Sequence, residues 1–181
     1  MWQNVGKLLK FMPSQFSQHN FRRVEGEVVA LEILPQPAPV GAHLATAIGI
    51  ASARARYSTY FIAFESLMNQ LKKSLMENRL EARMKFFAKY KVLIIDEIGY
   101  MPIDSDSANL FFQLIARRYE KHCTIITTNT PFSKWGEIFR SPTLANAVLD
   151  RLLHHSQIIS IKGPSYRLKE KRTFIETSGK E

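Results

Sequence analysis

Val92-Leu93-Ile94-Ile95-Asp96-Glu97 is a run of four apolar residues that ends in two adjacent carboxylates. An apolar run this short, without polar alternation, suits a strand buried on both faces, as strands of a parallel sheet are. In open α/β sheets, ligands gather where the strands end at their carboxyl side. The segment therefore predicts both a fold class and the edge at which chemistry would sit. Asp96 is the candidate to hold a Mg²⁺, directly or through water, and Glu97 the candidate to orient or deprotonate an attacking water. The same six residues also fit a buried strand that merely stops in two solvated acids, so neighbouring segments have to decide.

Downstream, Asp104 or Ser105 is placed to cap a helix whose stripe is Ala108, Phe111, Phe112 and Ile115. A strand over Thr124–Thr128 then leads into Asn129, so Thr127, Thr128 and Asn129 bring polar side chains to the same edge as the carboxylates. A neutral Asn there is suited to hold a water or sense a terminal phosphate without adding negative charge, although the turn before Pro131 also explains it. A short helix is expected near Ser133, a longer one over Thr143–Leu153 and a last strand over Gln157–Ile161. Upstream, residues 77–89 read as a charged helix, and Phe64, Leu67, Met68, Leu71 and Leu75 recur at helical spacing. Before them come a strand over Tyr57–Ala63, a small-residue helix over His43–Arg54 with Leu44, Ala47, Ile48 and Ala51 on one face, and a strand over Glu27–Leu34. Alternation of this kind predicts one α/β domain with a mostly parallel sheet, over 27–165. Residues 1–26 form a segment of weak periodicity, and 166–181 a basic tail.

The bulk numbers agree. The chain has 181 residues, 45% hydrophobic and 23% charged, enough for one domain with a substantial core. Lys and Arg number 25 against 16 Asp and Glu, a net charge of +9 that favours polyanionic partners, nucleic acid first. Lys162, Arg167, Lys169, Lys171 and Arg172 near the C-terminus are the candidate phosphate contacts, with a solvated tail as the alternative. A single cysteine, Cys123, excludes an internal disulfide and a multi-cysteine zinc site; in CTIITT it reads as a buried small hydrophobe. The opening MWQNVGKLLKFMPS is too short in apolar length for a signal peptide, and no run approaches a membrane span, so a cytoplasmic location without a membrane partner is expected.

One more motif carries chemistry. Leu149-Asp150-Arg151-Leu152-Leu153 sets an Arg among apolar neighbours on a helix. Delivered to another subunit's nucleotide it would stabilise transition-state charge; pairing within the chain to Asp150 or a Glu is the competing explanation.

The words VLIIDEIGYMPIDSDSANLFFQLIARRYE, TIITTNTPFSKWGEIF and LDRLLHHSQIISIKGPSYRLKEKR, in that order, closely resemble the IstB-like ATP-binding family over about His43 to Arg172. These are AAA+ ATPases that assist a transposase and are similar to DnaC-type helicase loaders. The resemblance implies a three-layer P-loop NTPase core (AAA+, ASCE-type) with a mostly parallel five-stranded sheet, the TTN strand lying between the first strand and the VLIIDE strand. It makes Asp96 and Glu97 a Walker B pair, Asn129 a sensor-1 residue and Arg151 an arginine finger, and puts Tyr166-Arg167 in the closing SYR element. His154-His155 belong to the word LLHH and, with no Cys or carboxylate at ligand spacing, are read as structural. ATP and Mg²⁺ are the implied cofactors. Double-stranded DNA, a transposase and further copies of the chain are the implied partners. A nucleotide-independent DNA-binding adaptor and a helicase loader are the competing functions.

The sequence departs from the family where phosphate should bind. The family's helix is preceded by G-x-x-G-x-G-K-T; here the equivalent is Pro35-Gln36-Pro37-Ala38-Pro39-Val40-Gly41-Ala42. Three prolines remove backbone N–H donors and fix φ, Val40 adds a β-branched side chain where Gly is expected, and both the Lys and the Thr are missing. Only the helix start at Gly41, Ala42 and His43 is left to attract an anion. The expectation is weak or absent ATP binding beside an otherwise intact hydrolytic edge.

Overall fold

The computed structural model describes residues 28–33, 40–154 and 156–161. The expectations for residues 1–26 and 166–181, and for Lys162, Arg167, Lys169, Lys171 and Arg172, lie outside the described residues, as does His155.

In chain order the elements are β1 (Val28–Ile33), α1 (Val40–Arg54), β2 (Thr59–Ala63), α2 (Phe64–Met76), α3 (Leu80–Ala88), β3 (Val92–Ile98), α4 (Ser105–Arg118), β4 (Cys123–Thr128), a 3₁₀ turn (Phe132–Lys134), α5 (Trp135–Ile138), α6 (Pro142–Leu153) and β5 (Ser156–Ile161). The strands form one five-stranded sheet in the order β2-β3-β4-β1-β5, and every pairing is parallel. The strand ending in Thr127-Thr128 does lie between the first strand and the carboxylate strand, as expected. Because all strands run the same way, their carboxyl ends share one edge, and each helix returns the chain to the opposite edge.

Alternation along β3 and β4 divides the core. Leu93, Ile95 and Ile126 face the larger cluster, built with α2 to α6, while Val92, Ile94, Cys123 and Ile125 face Ala45 and Ile48 of α1. Cys123 is buried, as its apolar run implied. No helix among the described residues is long and apolar enough to cross a membrane.

Three local expectations are corrected. The first helix starts at Val40, not His43, and its buried face is Ala45, Ile48 and Ser52 with Ala47, while Leu44 and Ala51 are only half-buried. Gly49 explains the rotation: a Cβ there would lie 2.6 Å from Ile94 Cδ1, so the missing side chain is what lets this face of α1 come down on β3. On α2, Leu75 is exposed and Ser74 is buried in its stead, its hydroxyl bonded back to Gln70 O at 2.7 Å. On α4 the stripe is wider than expected. Phe112 is half-buried, whereas Leu110, Leu114 and Arg118 are buried. Asp104, not Ser105, caps α4: its Oδ1 accepts the Ser107 N–H at 2.8 Å. Lys72, then that backbone N–H, hold the Asp104 carboxyl down at about 2.

Candidate functional site

Asp96 and Glu97 sit in an irregularity that the carboxylate strand needs. β3 pairs regularly with β4 up to Ile95↔Ile126 and resumes at Ile98↔Thr128, so Asp96 and Glu97 together face Thr127 alone. This two-against-one arrangement is a β-bulge, which re-aims side chains and tightens local twist. Its cost falls on Glu97, whose φ is +63°, a left-handed value uncommon for a residue with a Cβ. A regular strand would send consecutive side chains to opposite faces. The bulge instead leaves Asp96 8% exposed and Glu97 open to solvent.

Thr127 holds the bulge. Its Oγ1 donates to Asp96 Oδ1 and accepts the Glu97 N–H at 2.8 Å. One hydroxyl thus fixes the Asp96 carboxylate and the backbone of Glu97. Thr127→Val is expected to cost about 1–3 kcal/mol, because a buried carboxylate loses its donor and an N–H its acceptor. Urea denaturation checks it; a loss under a few tenths of a kcal/mol would contradict this role.

The ends of β3 and β4 are tied again just beyond. Thr128 Oγ1 donates to Ile98 O at 2.8 Å and accepts the Thr130 N–H at 3.1 Å. Thr130 Oγ1 lies between Gly99 O (3.1 Å) and Asn129 Oδ1 (3.2 Å), with one proton to share. The buried Trp135 reaches Thr130 O with its indole N–H at 3.4 Å. Asn129 itself is exposed at this edge. Sequence reasoning brought Thr127, Thr128 and Asn129 to this edge but gave a role to Asn129 alone, and it passed over Thr130; three hydroxyls at one strand end were the available signal.

The first turn of α1 reaches the same edge, since α1 follows the carboxyl end of β1. Val40, Gly41 and Ala42 are already helical there, Gly41 is buried, and His43 is exposed. Asp96, Glu97, Asn129 and the start of α1 are therefore gathered at one edge. Arg151 is not. It lies near the end of α6, at the opposite edge where β5 begins, its Nη1 on Ala147 O at 2.8 Å and its guanidinium 4.6 Å from the Phe112 ring centroid. Neither intramolecular carboxylate pairing forms among the described residues. His154 bonds Tyr119 Oη through Nδ1 at 2.5 Å.

Tested against MgATP, the two halves of the site disagree. Asp96 has the buried, pre-oriented carboxylate that a hard cation takes. Among the described residues no group of three His, Cys, Asp or Glu side chains is placed to hold a metal, so a cation at Asp96 would depend on phosphate oxygens and a loop hydroxyl. The α1 turn that should supply the hydroxyl and the phosphate-binding ammonium holds Gly41 and Ala42. The strand half fits the group and the helix half does not.

The fold is similar to those of solved structures at low sequence identity. It matches the DnaI structure with TM-score 0.66 at 15% identity, covering 88% of this chain and 82% of that one. The DnaC helicase loader matches with TM-score 0.60 at 18% identity, covering 88% and 87%. The chain is 59% identical over 135 residues to the insertion sequence IS232 ATP-binding protein of Bacillus thuringiensis, covering 74% of this chain and 54% of that one. It is 49% identical over 141 residues to the insertion sequence IS21 ATP-binding protein of Pseudomonas aeruginosa, covering 77% and 53%. It thus spans about half the length of the curated relatives it matches. The family model described as IstB-like ATP binding protein matches residues 27–174. A P-loop NTPase sheet of AAA+ type, a carboxylate pair at the carboxyl edge of that sheet and this match over most of the chain agree: the chain belongs to the IstB-like ATP-binding protein family.

Proposed function

We propose that this chain is a transposition helper of an insertion sequence, an AAA+ core that engages double-stranded DNA and a transposase and assembles with copies of itself, but binds ATP poorly. The observation that carries the ATP part is the first turn of α1, where Val40, Gly41 and Ala42 stand beside a well-formed Asp96–Thr127–Glu97 edge. Phosphate would meet helix N–H groups but no ammonium, and Mg²⁺ would lack a hydroxyl ligand. The helper part is supported by the names of its relatives, the net charge of +9 and the position of Arg151. At the edge remote from its own carboxylates, Arg151 serves a nucleotide only across a subunit boundary, which makes the homo-oligomer part of the reading. Glu97 and Asn129 keep their roles toward water and phosphate, conditional on nucleotide.

A second reading, a DNA-binding adaptor that uses no nucleotide, is favoured by the same turn. The helicase-loader reading rests on fold likeness alone.

Calorimetry with ATP and Mg²⁺ tests the proposal, using the unaltered chain beside Gly41→Lys/Ala42→Thr. The unaltered chain is expected to bind no tighter than about millimolar, and the variant about tenfold tighter, roughly 1.4 kcal/mol. Micromolar binding by the unaltered chain would overturn the impaired-loop reading and make this an active ATPase.

A further inference from the structure

The edge of the sheet opposite the carboxylates has a charge of its own. Three loops reach it from neighbouring strands: residues 55–58, after Arg54 closes α1 and before β2, 89–91 before β3 and 119–122 before β4. Hydrogen bonds keep them abreast. Val92 N–H donates to Ser58 O at 3.0 Å, Lys91 N–H to Ser58 Oγ at 3.0 Å, and Cys123 N–H to Lys91 O at 3.0 Å. Adjacent strands lie about 4.8 Å apart, so the loops form one short row.

That row carries Arg54, Arg56, Lys89, Lys91 and Lys121, all exposed. Among the described residues none of the five lies within ion-pairing distance of a carboxylate. Lys72, Lys73, Lys85 and Arg117, on the helices, are paired with Asp104, Glu77 and Glu81. The one acid in the three loops, Glu120, stands beside His154 at 3.9 Å. Of these cations Lys91 and Lys121 stand near His122, whose Nδ1 is buried without a hydrogen-bond partner among the described residues. Burial first, then the charges of Arg118 and Lys91, push the pKa of that ring down. The far edge carries Asp96, Glu97 and Asp106, besides the Asp104 that pairs with Lys72.

We propose that this amino-terminal rim, Arg54, Arg56, Lys89, Lys91 and Lys121 in a row, is a sequence-independent binding strip for the phosphate backbone of duplex DNA. The proposal rests on the DNA reading above and moves the contact from the C-terminal tail to the folded core. A continuous line of solvated cations complements a continuous line of phosphates, and counterion release drives the association. Among the described residues the exposed large apolar side chains, Phe61, Leu75, Met76, Tyr100, Met101 and Ile158, all lie outside the three loops, so the strip presents charge and not apolar surface. DNA on this rim would leave the carboxylate edge, at the other end of the strands, uncovered.

The test is the salt dependence of binding to a short labelled duplex of mixed sequence, read by fluorescence anisotropy. Three proteins are compared: the unaltered chain, the rim variant Arg56→Gln/Lys91→Gln/Lys121→Gln and the tail variant Lys169→Gln/Lys171→Gln/Arg172→Gln. The rim substitutions are on exposed side chains, and a matching thermal melt confirms that the rim variant is folded. The slope of log K against log salt is expected to fall by about 0.9 per lost contact, close to 3 for the rim variant. An unchanged slope in the folded rim variant, with loss in the tail variant, would overturn the rim and leave the DNA reading standing. No binding of duplex by the unaltered chain at low salt would overturn both. Binding to phosphatidylserine vesicles in place of duplex would overturn the rim as a DNA strip and assign its charge to a membrane surface.

Discussion

Replacing Arg118 by alanine is expected to destabilise the fold by about 3–5 kcal/mol, a large part of what a domain of this size possesses. Arg118 is the last residue of α4 and only 1% exposed, yet no carboxylate accompanies it. Its charge is answered by dipoles. Nη1 lies 3.0 Å from Phe87 O, 3.2 Å from Ala88 O and 2.8 Å from Tyr90 O, where α3 ends and the chain turns toward β3. Nε donates to Thr124 Oγ1 at 3.0 Å, and Nη2 to Cys123 O. One guanidinium thus joins the end of α3 to the start of β4, and a helix carboxyl end is where a cation is favoured. Burial pushes its pKa down to about 10, which still leaves it charged at neutral pH. Alanine would leave a cavity and strand four carbonyls and a hydroxyl in an apolar interior, each unsatisfied acceptor costing about 1–3 kcal/mol before relaxation. Lysine is expected to rescue little, since one ammonium does not span a planar fork of acceptors. Urea denaturation would show a lower midpoint at unchanged slope; a loss below about 1 kcal/mol would mean that water replaces the guanidinium there.

Gly99→Ala is expected to cost about 2–4 kcal/mol and to disturb the carboxylate edge as well. Gly99 follows Ile98, where pairing resumes after the bulge, and has φ +99°, outside the range a residue with a Cβ adopts without strain. A Cβ there would also stand 2.8 Å from Thr130 Oγ1, 2.9 Å from Ile138 Cδ1 and 3.0 Å from Thr130 Cβ. Ile138 Cδ1 can swing away, but Thr130 Cβ is fixed to the backbone that leads out of β4. The strain therefore falls on the hydrogen bonds joining the ends of β3 and β4, including those that Thr128 and Thr130 make to Ile98 and Gly99. Thermal unfolding measures the stability loss. Amide exchange at Glu97, whose N–H is held by Thr127, measures the local one and is expected to speed up more than in the centre of β3. A variant that loses stability while Glu97 stays as protected as the strand centre would separate Gly99 from the site.

Much of this edge was legible residue by residue. Apolar continuity in VLIID marks a strand buried on both faces, and a carboxylate pair at its end marks the ligand edge; both readings use only neighbours in the chain. Periodicity served α2 and α4 less completely. Leu75 kept the helical spacing but fell on the wrong side, and Arg118, three residues after Ile115 and seven after Phe111, lay on the buried stripe of α4 without being counted, because a basic residue at a helix end ordinarily faces water. Spacing locates a face but not its width, which depends on what packs against it.

By itself, then, the sequence determined the alternation of strands and helices, the membership of Asp96, Glu97 and Asn129 in one edge, and the lack of a Lys and a Thr at Gly41 and Ala42, since each follows from residue type and short spacing. Tertiary structure alone decided that Thr127 bridges Asp96 and Glu97, that Arg118 is buried among carbonyls, that Arg151 stands at the edge away from its own carboxylates, and that Arg56, Lys91 and Lys121 line up in a row. Each of these joins residues about thirty positions or more apart, or depends on which end of the sheet a loop reaches, and strand register and the parallel direction of the strands are set by the packing of the whole sheet.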